Sequence, residues 1–158
     1  KTDAALDAEI RRRFMSLHEA AAAGALRAWE ESAEGALALL LLLDQFPRNM
    51  FRGEARAFST DAAARSVAER AIRAGFDAAI PGMRGFFYLP FMHSENVADQ
   101  ERCIALYCAC GDAEGAKWAE RHAGIIRRFG RFPHRNAALG GASTPEEQTF
   151  LDGGGFAG

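Results

Sequence analysis

Lysine is nearly missing from this chain. Of 19 basic residues only Lys1 and Lys117 are lysines, and the rest are arginines. A codon preference that also enriches Ala and Gly accounts for part of this. The chemical consequence is a surface of planar guanidiniums, better suited than ammonium groups to grip carboxylate or phosphate. Charge of one sign is missing too: the net charge of −2 supplies no field that draws the chain to nucleic acid or an anionic membrane. Cysteine is scarce. Cys103, Cys108 and Cys110 fall within one helical pattern, and an odd count on one helix is no disulfide framework. A reducing, cytoplasmic setting is therefore expected. Long apolar runs are absent as well: Ala36 to Leu43 is the longest, against the roughly 20 residues a bilayer span needs. Lys1-Thr-Asp opens into a helical pattern, not an apolar signal region. There is no glycine-rich phosphate loop, nucleophile elbow, Cys-x-x-Cys pair or basic helix for DNA. No segment alternates with period two, so no sheet is expected.

The residues present, 49% apolar and 25% charged, have the balance of a globular domain, and 158 residues suffice for a core. Thr2 or Asp3 is expected to cap a first helix whose stripe is Leu6, Ile10, Phe14, Leu17 and Ala21, with His18 off the stripe and solvated. Ser32 is expected to cap a second helix, apolar all round and hence central, from Ala36 through the leucines to Phe46. Pro47 should end it, since the residue before proline is pushed out of the helical region. An irregular loop then carries Arg48, Asn49, Arg52 and Gly53. A third helix runs from Thr60 or Asp61 to Gly75. Met83 to Met92 is expected to hold a short helix broken by Pro90. Ser94 is expected to cap a helix to Cys110 with Val97, Ile104, Tyr107 and Cys108 inward. After a turn at Gly111-Asp112 another should span Ala113 to Phe129 and end at Gly130, with Trp118, His122, Ile125, Ile126 and Phe129 inward. Thr144-Pro-Glu-Glu147 has a capping residue, proline at the first position and glutamate three residues on. Residues 153–158 read as a flexible tail.

Three stretches place ionisable groups directly after apolar ones, which shifts pKa values and builds sites. They are Asp44-Gln-Phe-Pro-Arg-Asn49, Leu89-Pro-Phe-Met-His-Ser-Glu95 and Arg131-Phe-Pro-His-Arg-Asn136. His93, Glu95, His122 and His134 are the candidates for proton chemistry. Asp44, Arg48, Asn49, Arg131, Arg135 and Asn136 are the candidates for holding a ligand, the arginines forming an anion clamp. No two of these histidines have the four-residue spacing of strong zinc motifs, so no metal and no other cofactor is expected. Plainer readings stand beside these. His122 fits equally as a hydrogen-bonded core histidine, Glu95 as a helix-dipole partner, and Asp44 as the mate of an arginine in a structural lock. Two of the stretches also echo each other: Phe46-Pro-Arg-Asn-Met-Phe-Arg-Gly53 and Phe132-Pro-His-Arg-Asn-Ala-Ala-Leu-Gly140 share Phe-Pro, Arg-Asn and a later Gly.

Leu43-Asp-Gln-Phe-Pro-Arg-Asn49, Asp61 with its Ala-rich helix, Leu89 to Glu95, Arg128 to Asn136 and Thr144 to Glu147 together resemble the signatures of the bacterial "domain of unknown function 924" (DUF924) family. The resemblance covers nearly the whole chain. It implies an all-helical fold similar to tetratricopeptide repeats and no established activity. Family members carry an aromatic segment around Phe-Trp-Phe ahead of the first helix, which this sequence does not show.

The expectation is thus one all-α domain over 1–158, an antiparallel helical array, monomeric or weakly dimeric. Its expected partner is a small anionic ligand or a peptide, not nucleic acid or membrane. Two functions are open. One is a small-molecule site, with or without catalysis; the other is a tetratricopeptide-like interaction module without catalysis whose polar motifs are structural locks.

Overall fold

The structure is a computed structural model and describes residues 3–155. Thr2, as a capping candidate, and the end of the expected tail lie outside the described residues. Within them the chain is all-α, with no strand. The helices are α1 (Ala4–Ala22), α2 (Ala33–Leu40), α3 (Phe46–Met50), α4 (Asp61–Arg73), α5 (Phe76–Ala79), α6 (Gly85–Met92), α7 (Val97–Ala109), α8 (Ala113–Phe129) and α9 (Pro145–Asp152).

The predicted central segment is central. Ala36, Leu39, Leu40, Leu42 and Leu43 are buried in the main core with Ala64, Ala68, Phe87, Tyr88, Phe91 and Tyr107. Burying each such leucine contributes about 1.5–3 kcal/mol. α2 packs on α4 and α6, α1 on α3, and α7 on both α6 and α8.

Pro47 does not end the helix. After Leu40 the backbone widens into a π turn, Leu41–Gln45, where the Phe46 N–H donates to the Leu41 carbonyl, and α3 follows with Pro47 in its first turn. Phe46 itself stays helical at φ −64° and ψ −35°. This works because a proline in a helix's first turn gives up an N–H that has no helical partner there anyway. The carbonyls upstream must then find other donors. His18 Nδ1 lies 2.9 Å from the Leu42 oxygen, and the Thr60 hydroxyl donates to the Leu43 oxygen at 2.6 Å. His18 is accordingly buried, not solvated, and Leu17 is exposed in its place. Thr60 for the same reason does not cap α4 with its side chain.

Three further expectations differ. Pro90 sits inside α6 without breaking it. The cap of α7 is Asn96, whose side chain accepts from the Ala98 N–H at 2.8 Å, while Ser94 donates to Asp99 at 2.6 Å. α7 starts at Val97, so Glu95 precedes its first turn; its buried face is Gln100, Cys103 and Tyr107, and Val97 and Cys108 face out. On α8, Trp118 is exposed, while His122, Ile125 and Ile126 are buried as expected. The Gly111-Asp112 turn, the αL stop at Gly130 and the Thr144–Glu147 capping box all form.

Candidate functional site

The π turn aims Asp44 into the protein, where it is 1% exposed. One turn later Arg48 reaches back. Its Nη1 lies 2.6 Å from the Asp44 carbonyl and 3.2 Å from its carboxylate, and its Nη2 lies 3.0 Å from Asp61. His93, at the end of α6, sets its Nδ1 2.9 and 3.0 Å from the two Asp44 oxygens. Because those oxygens accept, the His93 proton sits on Nδ1 and Nε2 is the ring's basic nitrogen. The backbone around His93 is held as firmly. Gln100 of α7, fully buried, donates to the Met92 and Ser94 carbonyls at 2.7 and 2.6 Å. The Arg135 Nη2 donates to the His93 carbonyl at 2.8 Å.

Arg135 comes from the second Phe-Pro stretch. Its guanidinium lies between the Phe58 and Phe132 rings, 4.6 Å from each centroid, and its Nη1 lies 3.4 Å from Asp61. The sequence echo therefore has a physical meaning: its two arginines, Arg48 and Arg135, meet on one carboxylate. The two asparagines do a related job apart from the site. Asn49 donates to Asp7 at 2.8 Å, and Asn136 to Ser143 and Glu147 at 3.1 and 3.3 Å. The backbones differ, since the first stretch is α-helical and the second a single 3-10 turn, Pro133–Arg135.

Between these elements lies a cavity of about 300 Å³, whose ionisable lining is Arg48, Arg52, His93, His122, His134 and Arg135, with Phe58 and Phe132 as apolar wall. His93 and His122 ring centroids are 6.5 Å apart. His122 is fixed by its Nδ1–H, which donates to the Trp118 carbonyl at 2.8 Å. Among the described residues no aspartate or glutamate belongs to the lining; Asp44 and Asp61 stand behind it.

Burial sets the charge states. It pushes both His122 and His134 down to about 4, aided for His134 by Arg135, so both imidazoles are neutral at pH 7. Burial alone would raise the Asp44 carboxyl, but His93 and Arg48, with a hydrogen bond from Gln45, hold it below its ordinary value. For Asp61 burial wins and the shift is upward against the pull of Arg48 and Arg135. Two guanidiniums within 3.4 Å keep it a carboxylate at neutral pH.

Of the residues singled out from sequence, the structure brings His93, His122, His134, Arg48 and Arg135 to one cavity, with Asp44 directly behind. Four others lie off it. Glu95 is exposed and accepts the Phe132 N–H at 2.8 Å, which fixes the second Phe-Pro stretch. Arg131 pairs with Glu147 at 2.6 and 2.8 Å, and Asn49 and Asn136 bind as above. Asp61, Arg52, Phe58 and Gln100 belong to the site or its support and were not among the site candidates, although Asp61 is one of the residues that carry the family resemblance. Asp61 reads in sequence as an ordinary helix-start acid, and Gln100 as one polar residue among several. Among the described residues no cluster of three or more His, Cys, Asp or Glu side chains is arranged to hold a metal. No helix there is long and apolar enough to cross a membrane.

A family model described as "Bacterial protein of unknown function (DUF924)" matches residues 1–155. The solved structure of ATU0120 from Agrobacterium tumefaciens, a protein of unknown function, is similar with a TM-score of 0.92 and 49% identity, covering 97% of this chain and 87% of that one. Comparison with curated proteins finds no match.

Proposed function

We propose that this chain, which belongs to the DUF924 family of bacterial proteins of unknown function, binds a small polar or anionic ligand in the cavity between His93 and the two Phe-Pro stretches. The observation that carries this reading is the lining itself: three arginines and three histidines, with no carboxylate among them. A volume of about 300 Å³ is at the lower end of ligand-pocket sizes, typically about 300–1,000 Å³. Phe58 and Phe132 supply the apolar wall against which a small organic group packs. Within this reading His93, oriented by Asp44, is the proton-transferring group, and His122 and His134 are neutral partners across the cavity. Glu95 is a positioning residue, acting through Phe132.

The competing reading, a tetratricopeptide-like interaction module, draws on the pairings of Arg131, Asn49 and Asn136, which act as locks between segments. Those locks lie away from the cavity and leave its lining intact, which favours the ligand site.

Thermal unfolding with added sulfate, phosphate, malonate or glycerol tests the proposal. A saturable rise in Tm with an anion but not with glycerol is expected, since binding to the native state alone stabilises by about 2.7 kcal/mol at a hundred times Kd. Arg52→Gln and His134→Asn should weaken the rise while leaving the unliganded protein folded. A rise that never saturates and is equal in both variants is a general salt effect and sinks the reading.

A further inference from the structure

The way the arginines are already engaged says which anion the cavity suits. Arg48 has both terminal nitrogens committed, to Asp44 and to Asp61. Arg135 has Nη1 on Asp61 and Nη2 on the His93 carbonyl, and its buried Nε makes no hydrogen bond. Arg52 spends Nε and Nη2 on Asp7 at 2.9 and 3.1 Å. Every two-pronged guanidinium edge therefore has at least one nitrogen in use. A planar carboxylate gains most from an unshared edge of that kind. What these walls offer is single N–H groups converging from different directions, the arrangement that suits a tetrahedral oxyanion.

The charges are also nearly balanced before any ligand arrives. Asp44 and Asp61 offset Arg48 and Arg135, and Asp7 offsets Arg52. A dianion entering this half-buried space brings negative charge that the existing cations do not fully match, and a buried charge without a partner is costly. The groups able to make up the difference are the imidazoles. On His122 the Nδ1 proton is committed to the Trp118 carbonyl, so a second proton goes to Nε2 and makes the ring a donor at both nitrogens.

We infer that the cavity is a phosphoryl-group site, for inorganic phosphate or a small phosphomonoester, and that filling it draws one proton onto the His122–His134 pair. This rests on the anion-binding reading above. The titratable and charged groups facing the pair are His93 with Asp44 behind it, Arg48 from α3 and Arg52 from the turn after it, Asp61 from α4, Arg121 on α8 and Arg135 beside His134, with Glu95 acting through Phe132. In the empty site the arginines and burial both oppose protonation, and the rings, held down to about 4, are neutral. A phosphoryl dianion against the same rings reverses the sign of the local field and stabilises the imidazolium. The proton comes from solvent, and no bond to phosphorus is made or broken.

Isothermal titration calorimetry on the whole chain tests this at pH 7.5 and 8.5, in two buffers of different ionisation heat. The titrants are sulfate, inorganic phosphate, glycerol phosphate and malonate. Sulfate is the telling probe because it carries no titratable proton of its own in this range. We expect sulfate and both phosphates to bind with a buffer-dependent heat that reports proton uptake. Their Kd should weaken by up to about tenfold from pH 7.5 to 8.5, the limit for one proton. His134→Asn and His122→Asn should lose the buffer dependence, each checked for a native near-ultraviolet spectrum. His134 is only partly buried, so its variant serves if the His122 variant fails to fold. Either order of affinity between phosphate and glycerol phosphate supports the inference and assigns the ligand to one source. Malonate binding more tightly than both, or sulfate binding with a buffer-independent heat, overturns it and leaves the anion-binding reading standing. If no anion binds at millimolar concentration, both fall.

Discussion

Replacing Asp61 by Asn removes the carboxylate that Arg48 and Arg135 share at 3.0 and 3.4 Å. The two arginines do not suffer equally. The Arg48 side chain is 21% exposed and keeps Asp44, so its loss is small. The Arg135 side chain is 8% exposed and keeps the His93 carbonyl and two aromatic faces, but no carboxylate. Stranding a buried charge costs about 3–5 kcal/mol, and the partners that remain put this case near the lower end, about 3 kcal/mol. Urea unfolding followed by near-ultraviolet circular dichroism measures it. With a slope of about 1–3 kcal/mol/M, the midpoint should fall by at least about 1 M at unchanged slope. Adding Arg135→Met removes the stranded guanidinium, so the double variant should lose less than the sum of the singles, with a coupling of about 1–3 kcal/mol. A loss below about 0.5 kcal/mol for Asp61→Asn would refute the reasoning, because the bridge would then be a surface-like pair. Strict additivity in the double variant would refute it too.

Leu40→Ala should cost about 2–5 kcal/mol, since the side chain is 1% exposed in the centre of the core; a urea-melt loss below about 0.5 kcal/mol would place that segment at the surface. Stability should also fall as pH drops from about 6.5 toward 4. His122 and His134 titrate near 6.5 when unfolded and near 4 when folded, so in that window the unfolded chain binds protons that the native one does not. Each pKa unit corresponds to about 1.4 kcal/mol, and His134→Asn should flatten the decline; equal urea midpoints at pH 6.5 and 5 would contradict it. Asp44, held below its ordinary value, adds a loss in the same direction at still lower pH.

Helix content was legible because it is local. Three-to-four periodicity, the Thr144 cap, the Gly111-Asp112 turn and the αL stop at Gly130 each act within a few residues. Proline was the misleading signal. Pro47 and Pro90 both read as breaks, yet Pro47 is absorbed by a wider turn whose spare carbonyls are met by His18 and Thr60, residues 29 positions before it and 13 after. No window around Pro47 contains those donors. The meeting of His93 with both Phe-Pro stretches was legible as chemistry, polar groups following apolar ones that must satisfy one another. Asp61 was not, because an aspartate opening a helix is unremarkable until two arginines from distant segments close on it.

The π turn at Leu41–Gln45 makes this site depend on chain length as well as on composition. It holds one more residue per turn than the helix around it. Winding the same residues as an ordinary α-helix would swing everything downstream by about 100° around the helix axis, the angle one residue subtends. Arg48 would point away from Asp61, and the Leu42 oxygen would take the Phe46 N–H, leaving His18 buried without its acceptor. Every side chain of the cavity would still be present in such a chain, and the cavity would not be assembled. The wider turn thus absorbs one residue without changing the face that α3 presents, and a second insertion between Leu40 and Pro47, with nothing left to absorb it, would be a change of register before it is a change of residue.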